Sequence, residues 1–176
     1  KQAYRAFNTQ LLAEEAPAAD EIVLTSGKSY SNVFHANGGS ASFSVMANTL
    51  RGVYGTDVLL ATANSFTGSV LQADYNKKMA ASMIMPNGLM SRQRTMTGAE
   101  LKETVRAFVE GCEGGFVPFN RGSLPVVSGI AVEVKEAGGS YTLTGITRNG
   151  QPLRDDDTVT VTCLAAENQM EALLAS

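Results

Sequence analysis

The sequence predicts a single α+β domain, a mixed sheet with packed helices, and three observations carry that expectation. Apolar residues recur at helical spacing in separated stretches, and short apolar or alternating runs of strand character lie between and after them. No repeat and no internal linker divides the 176 residues, a length that buries one proper core. Apolar residues make up 44% and charged residues 18%, a balance that excludes a disordered chain. The net charge of −3 gives no reason to expect a nucleic-acid polymer as partner. Nothing approaches the ~18 consecutive apolar residues of a membrane span.

Tyr4, Phe7, Leu11 and Leu12 share one helical face, and Pro17 stops that helix. No signal peptide opens the chain and Lys1 lies inside the helical pattern, so a piece of a longer precursor is expected. Ile22 to Thr25 reads as a short strand, and the Ser-, Asn- and Gly-rich stretch Ser26 to Ser40 as a loop. Phe43, Met46, Ala47, Leu50 and Val53 repeat at helical spacing, with Gly55 placed to end the helix. Asp57 to Thr62 is nearly all apolar, as a strand buried on both faces requires. Ala63 to Ser69 is a loop at its end. Ala73 to Ala81 reads as a short helix, and Met83 to Met96 as a strand interrupted at Pro86-Asn87-Gly88.

Thr97 with Glu100 three residues later forms a capping box. Leu101, Val105, Phe108 and Val109 give the helix behind it a buried stripe, ended by Gly111. Glu113 to Leu124 is a loop. Val126 to Val134 and Tyr141 to Ile146 are strands turned at Gly138-Gly139, and Asn149-Gly150 is a second tight turn. Val159, Val161 and Cys163 alternate with threonines, which predicts a strand with one buried face. Glu167 to Ala175 reads as a terminal helix.

No catalytic constellation is visible. His35 is the only histidine, so no histidine metal cluster or relay of two histidines can form, and no Gly-x-Ser-x-Gly elbow accompanies it. Asp155-Asp156-Asp157 is a solvated acidic turn or a calcium site. Gly38-Gly39-Ser40 is a plain helix entry or offers N–H groups to an anion. Cys112 and Cys163 lack metal spacing and are two thiols or a single bridge. Met79, Met83, Met85, Met90 and Met96 crowd into one stretch; they fill core or line an adaptable apolar groove.

Three phrases fall in a fixed order: Met96-Thr97-Gly98-Ala99-Glu100-Leu101, then Val127-Ser128-Gly129-Ile130, then Asn149-Gly150-Gln151-Pro152-Leu153 running into Thr158 to Thr162. Gly55-Thr56-Asp57-Val58 and Pro86 precede them at matching distances. This series, over about residues 20 to 170, resembles the C-terminal domain of the 5'-nucleotidase family, two-domain metallophosphoesterases that include UDP-sugar hydrolase and 2',3'-cyclic phosphodiesterase types. The resemblance implies a connecting helix or linker over 1–19 and a substrate-binding domain over 20–176. It also implies no catalytic residue, metal ligand or cofactor in this chain. Divalent metal ions would sit in a preceding metallophosphoesterase domain, the chain's own partner. The ligand would be a small-molecule nucleotide or other phosphoester, and the location extracellular, cell-surface or periplasmic.

The binding positions depart from the family's pattern. Asn87 stands where the first of two base-clamping rings would be, and Cys163 to Ala165 holds no aromatic for the second. The loop Asn64-Ser65-Phe66-Thr67-Gly68 ends without the family's arginine, and the stretch Ser31 to His35 also lacks one. Losing both rings removes stacking of about 1 kcal/mol or more each. Losing a bidentate arginine removes about 1.5–3 kcal/mol. Asn64, Phe66 and Asn87 are therefore the candidate substrate-binding residues of an altered clamp. Lys77, Lys78, Arg92 and Arg94 either contribute cations to it or form a solvated face. The alternative is a non-catalytic binding or scaffold module that kept the fold and lost the nucleotide site.

Overall fold

A computed structural model describes residues 21–35, 39–83, 89–110, 125–138 and 140–166. The expected terminal helices, Gly111, the loop Glu113 to Leu124, Cys112 and the break at Pro86-Asn87-Gly88 lie outside these residues.

Strand β1 (Ile22–Ser26) is followed by the two-residue strands β2 (Phe34–His35) and β3 (Gly39–Ser40), which pair within the expected loop. Helix α1 (Ala41–Tyr54) leads to β4 (Val58–Thr62) and a 3-10 turn at Ala63–Ser65. Then come β5 (Ala73–Asn76), the short helix α2 (Lys77–Ser82), β6 (Leu89–Thr97) and α3 (Gly98–Glu110). The chain continues through β7 (Pro125–Ser128), β8 (Ala131–Ala137), β9 (Ser140–Arg148), β10 (Gln151–Pro152) and β11 (Thr158–Ala166).

The central sheet has strand order β6-β11-β4-β7. Its inner pair, β11 and β4, is parallel, and the two outer strands run antiparallel to their neighbours. One face carries Val58, Leu60, Met96, Val159, Val161 and Cys163, which pack with Leu101, Val105 and Val109 of α3 and Ile146 of β9. The other carries Leu59, Ala61, Val126 and Leu164 against Phe43, Met46 and Ala47 of α1. All five residues of β4 are buried, as a strand covered on both faces demands. A three-stranded sheet, β10-β9-β8, adds its outer layer beyond α3.

The punctuation follows local chemistry. Ser40 caps α1 by accepting from the Phe43 N–H, and Gly55 ends it in the left-handed conformation (φ 65°). The Thr97 hydroxyl accepts from the Glu100 N–H at 3.2 Å while the Glu100 carboxylate accepts from the Thr97 N–H at 2.7 Å. That N–H, then the Thr97 hydroxyl, holds the Glu100 carboxyl below its ordinary range. Asn149 and Gly150 both have positive φ (52° and 76°), the turn that closes β9 onto β10 in two residues.

Three expectations are corrected. Residues 73–81 are not one helix: Ala73–Asn76 pairs antiparallel with β1, where Asp74 accepts from the Thr25 hydroxyl, and only then does α2 begin. The Asn76 side chain caps that helix by accepting from the Met79 N–H. The run Val126 to Val134 is two strands, because Gly129 (φ 86°) turns the chain out of the central sheet and into the hairpin. Strand β11 buries more than one face. Thr162 is fully buried beside α1's side of the sheet, its hydroxyl 3.0 Å from that of Thr56.

Asp57 ties these layers together. One carboxylate oxygen accepts from the Thr160 N–H (2.8 Å) and hydroxyl (2.9 Å), and the other accepts from Arg148 at the end of β9. The Thr160 hydroxyl accepts in turn from the Asp57 N–H (3.0 Å). The Thr160 N–H, opposed by desolvation and assisted by the Thr160 hydroxyl and Arg148, lowers the Asp57 carboxyl from its ordinary 3.8. A depressed folded-state value means that the contribution is complete above the unfolded pKa and is lost as pH falls through the folded one. Asp57→Asn is therefore expected to flatten the acid limb of stability against pH below about 4, measured by urea midpoints from neutral pH into acid. An unchanged limb would remove Asp57 from this role.

Two glycines sit where no side chain fits. A Cβ on Gly98 would lie 1.9 Å from the Arg154 carbonyl oxygen, and one on Gly129 would lie 2.0 Å from that of Asp57. Gly129→Ala is expected to cost more than about 2 kcal/mol, from overpacking and a strained φ together. Thr97→Ala, which removes the exposed cap alone, is expected to cost about 1 kcal/mol. Chemical denaturation of both variants checks that order, and equal costs would contradict it.

Candidate functional site

The turn Ala63–Ser65 leaves the C-terminal end of β4 and is fastened to β11. The Ser65 hydroxyl donates to the Leu164 carbonyl at 3.1 Å and lies 3.2 Å from the Thr62 hydroxyl. This sets Asn64, an exposed residue, beside the C-terminal part of β11. Phe66 turns the other way. Its ring is 4% exposed and meets Phe43 with centroids 5.6 Å apart, which makes it a core residue that anchors the loop. Asn87 lies outside the described residues. Cys163 is buried, and burial pushes its thiol up to about 11, so it is an inert side chain under the sheet.

Beyond Phe66 the chain borders an open groove of about 300 Å³. Thr67, Gly68 and Ser69 form one wall, Leu71, Ala73 and Tyr75 the next, and Met79, Ser82 and Met83 the third. The Tyr75 hydroxyl is spent on the backbone of Leu71, accepting from its N–H and donating to its carbonyl. Leu71 is 60% exposed at the rim. Sequence reasoning missed Leu71, which lies just past Ser69 and Val70, and Tyr75, which the helical reading of residues 73–81 hid and the pairing of β5 with β1 reveals.

No lining residue is ionisable apart from that bonded tyrosine, so the groove is neutral. Of the candidate cations, Lys77 pairs with Glu21 and Arg94 with Glu100, while Lys78 and Arg92 are exposed; none lines the groove. The three carboxylates of the acidic turn share two cations: Asp155 binds Lys102, and Asp156 and Asp157 both bind Arg154. The N-terminus of α1 is filled, since Ser31 takes the Ser42 N–H and Ser40 the Phe43 N–H. Among the described residues no group of three or more His, Cys, Asp or Glu side chains can hold a metal ion, so they do not fit the divalent metals of a phosphoesterase centre. No helix among them is long and apolar enough to cross a membrane. Among the described residues the lining of the groove offers hydroxyl, thioether and aliphatic groups and no charged one.

No known family model and no curated protein matches the sequence. Solved structures do match the fold. The chain is similar to the NAD nucleotidase NadN of Haemophilus influenzae, at 18% identity and a TM-score of 0.64 over 94% of this chain and 32% of that one. It is similar to a 5'-nucleotidase precursor from Thermus thermophilus (14%, 0.57, 93% of this chain and 33% of that one). It also resembles the sulfate thiohydrolase SoxB of Thermus thermophilus, solved with glycerol (14%, 0.59, 96% and 32%). This chain spans about a third of each, and it is a single α+β domain with the fold of that third of the 5'-nucleotidases.

Proposed function

We propose that the chain is the substrate-binding C-terminal domain of an exported 5'-nucleotidase-like metallophosphoesterase, with an altered nucleoside clamp. The observation that carries this is the fold match across nearly the whole chain to a third of longer nucleotidase chains. In this reading residues 1–19 connect to a preceding domain, which holds the divalent metals and hydrolyses a nucleotide or other phosphoester. Residues 20–176 hold the organic part of the substrate and so set specificity. Asn64 reaches that part from the turn after β4, Asn87 stands at the first ring's position, and Phe66 supports the loop from within. The protein acts outside the cytoplasm, in the extracellular space, at the cell surface or in the periplasm.

The second reading, a binding or scaffold module without nucleotide affinity, is favoured by the burial of Phe66 and the uncharged groove. Turnover separates the two. The intact protein, with its preceding domain, is expected to release phosphate from a nucleotide or chromogenic phosphoester only with divalent metal, and residues 1–176 alone to release none. Metal-dependent turnover by residues 1–176 contradicts the division of labour, and an inactive intact protein establishes the scaffold.

Adenosine reports on the clamp itself. Without two rings and the arginine, it is expected to bind residues 1–176 more weakly than about 1 mM, which leaves only about 4 kcal/mol of binding energy. Asn87→Phe alone improves this little, because a clamp needs its second face. Calorimetric titration gives the answer; micromolar binding would mean that an ordinary nucleoside site survives.

A further inference from the structure

The groove beside α2 is open on its apolar side: of its lining, Leu71 is 60% exposed and Met79 43% exposed. The sequence holds an apolar face of its own to match. Tyr4, Phe7, Leu11 and Leu12 stand at i, i+3, i+7 and i+8, the stripe of an amphipathic helix. Such a short helix is stable in water only where that stripe is covered. Residues 1–20 lie outside the described residues, but the point where they join them is fixed. The Glu21 carbonyl accepts from the Lys77 N–H at 3.1 Å, and the Glu21 carboxylate pairs with the Lys77 ammonium at 2.6 Å. The segment therefore enters the fold at the first residue of α2, the helix that carries Met79.

Length and charge both fit a return to the groove. Residues 13–20 reach up to about 27 Å when extended, far more than the few ångströms that separate Lys77 from Met79 along a helix. They carry Glu14 and Glu15, while Lys78 of α2 is exposed and has no ion-pair partner among the described residues. A short tether gives an effective concentration of about 1 mM, so even a weak contact is held. We propose that residues 4–12 dock on this groove as an amphipathic helix, with Phe7 and Leu11 against Leu71 and Met79 and the Glu14-Glu15 pair toward Lys78. This goes beyond the proposed function and holds for either reading of it. A ligand whose organic part uses the groove displaces the segment.

The test is the rate at which hydrogen peroxide oxidises Met79 in residues 1–176 without ligand, read by peptide mass, because oxidation of a methionine follows its exposure. A segment seated about two-thirds of the time leaves Met79 open for the remaining third. Phe7→Ser with Leu11→Ser is then expected to raise the Met79 rate about threefold. Leu71→Ser, at the exposed rim, is expected to do the same, with the buried Met96 slow in every chain. Equal Met79 rates in the unaltered and altered chains overturn the contact. Protection that grows with protein concentration also overturns it, since a second copy would then be the occupant.

Discussion

The parallel pairing of β4 with β11 joins segments about a hundred residues apart in sequence, and the two residues just before β4 lock it. The Thr56 hydroxyl meets that of Thr162, and Asp57 exchanges hydrogen bonds with Thr160 from both its backbone and its carboxylate. Parallel neighbours need a long connection, here everything from the turn after β4 through the hairpins. A slip of one residue would turn each buried side chain of β11 to the opposite face. The Thr–Thr and Asp–Thr contacts fix the register at the entry point, and Arg148 fastens the outer sheet to the same carboxylate.

The short phrases by which the sequence resembles the nucleotidases gather around this lock. In the Thr97-Gly98 phrase the glycine lets the Arg154 carbonyl approach, and its N–H donates to the Asp157 carbonyl. In the Ser128-Gly129 phrase the glycine rests on the Asp57 carbonyl, while Ser128 bonds Arg51 and Asn48 of α1. The Asn149-Gly150 turn follows Arg148 and sends the chain back to Leu153, whose N–H donates to Ile146. These residues mark places where backbones cross closely, which is why they are legible while overall identity to the similar structures stays at 14–18%.

Legibility ends where tertiary pairing decides the outcome. The capping box, the Gly55 stop and the doubly buried β4 are readable because each depends on residues within one turn or one strand. The 73–81 segment misleads because its apolar spacing suits a helix, whereas Tyr75 is claimed by β1 and by its own hydroxyl bonds to Leu71. Thr162 reads as solvent-facing because alternation cannot show that the second face of β11 is also covered, with Thr56 against the Thr162 hydroxyl. At the site, Asn64 is found by its place in a loop. The inward turn of Phe66 and the groove behind it need the fold, since the lining lies within residues 67–83 and takes its course from the pairing of β5 with β1.

In the proposed function, the uncharged groove and the turn tethered to β11 would hold the organic part of a ligand while a preceding domain carries out the chemistry. The most direct measurement is a crystal structure of the intact protein with a non-hydrolysable phosphoester analogue. The account predicts that the analogue's organic part lies against the turn at Asn64 and its phosphate faces metals held by the preceding domain. An analogue enclosed wholly by that other domain, touching none of residues 21–166, would contradict it.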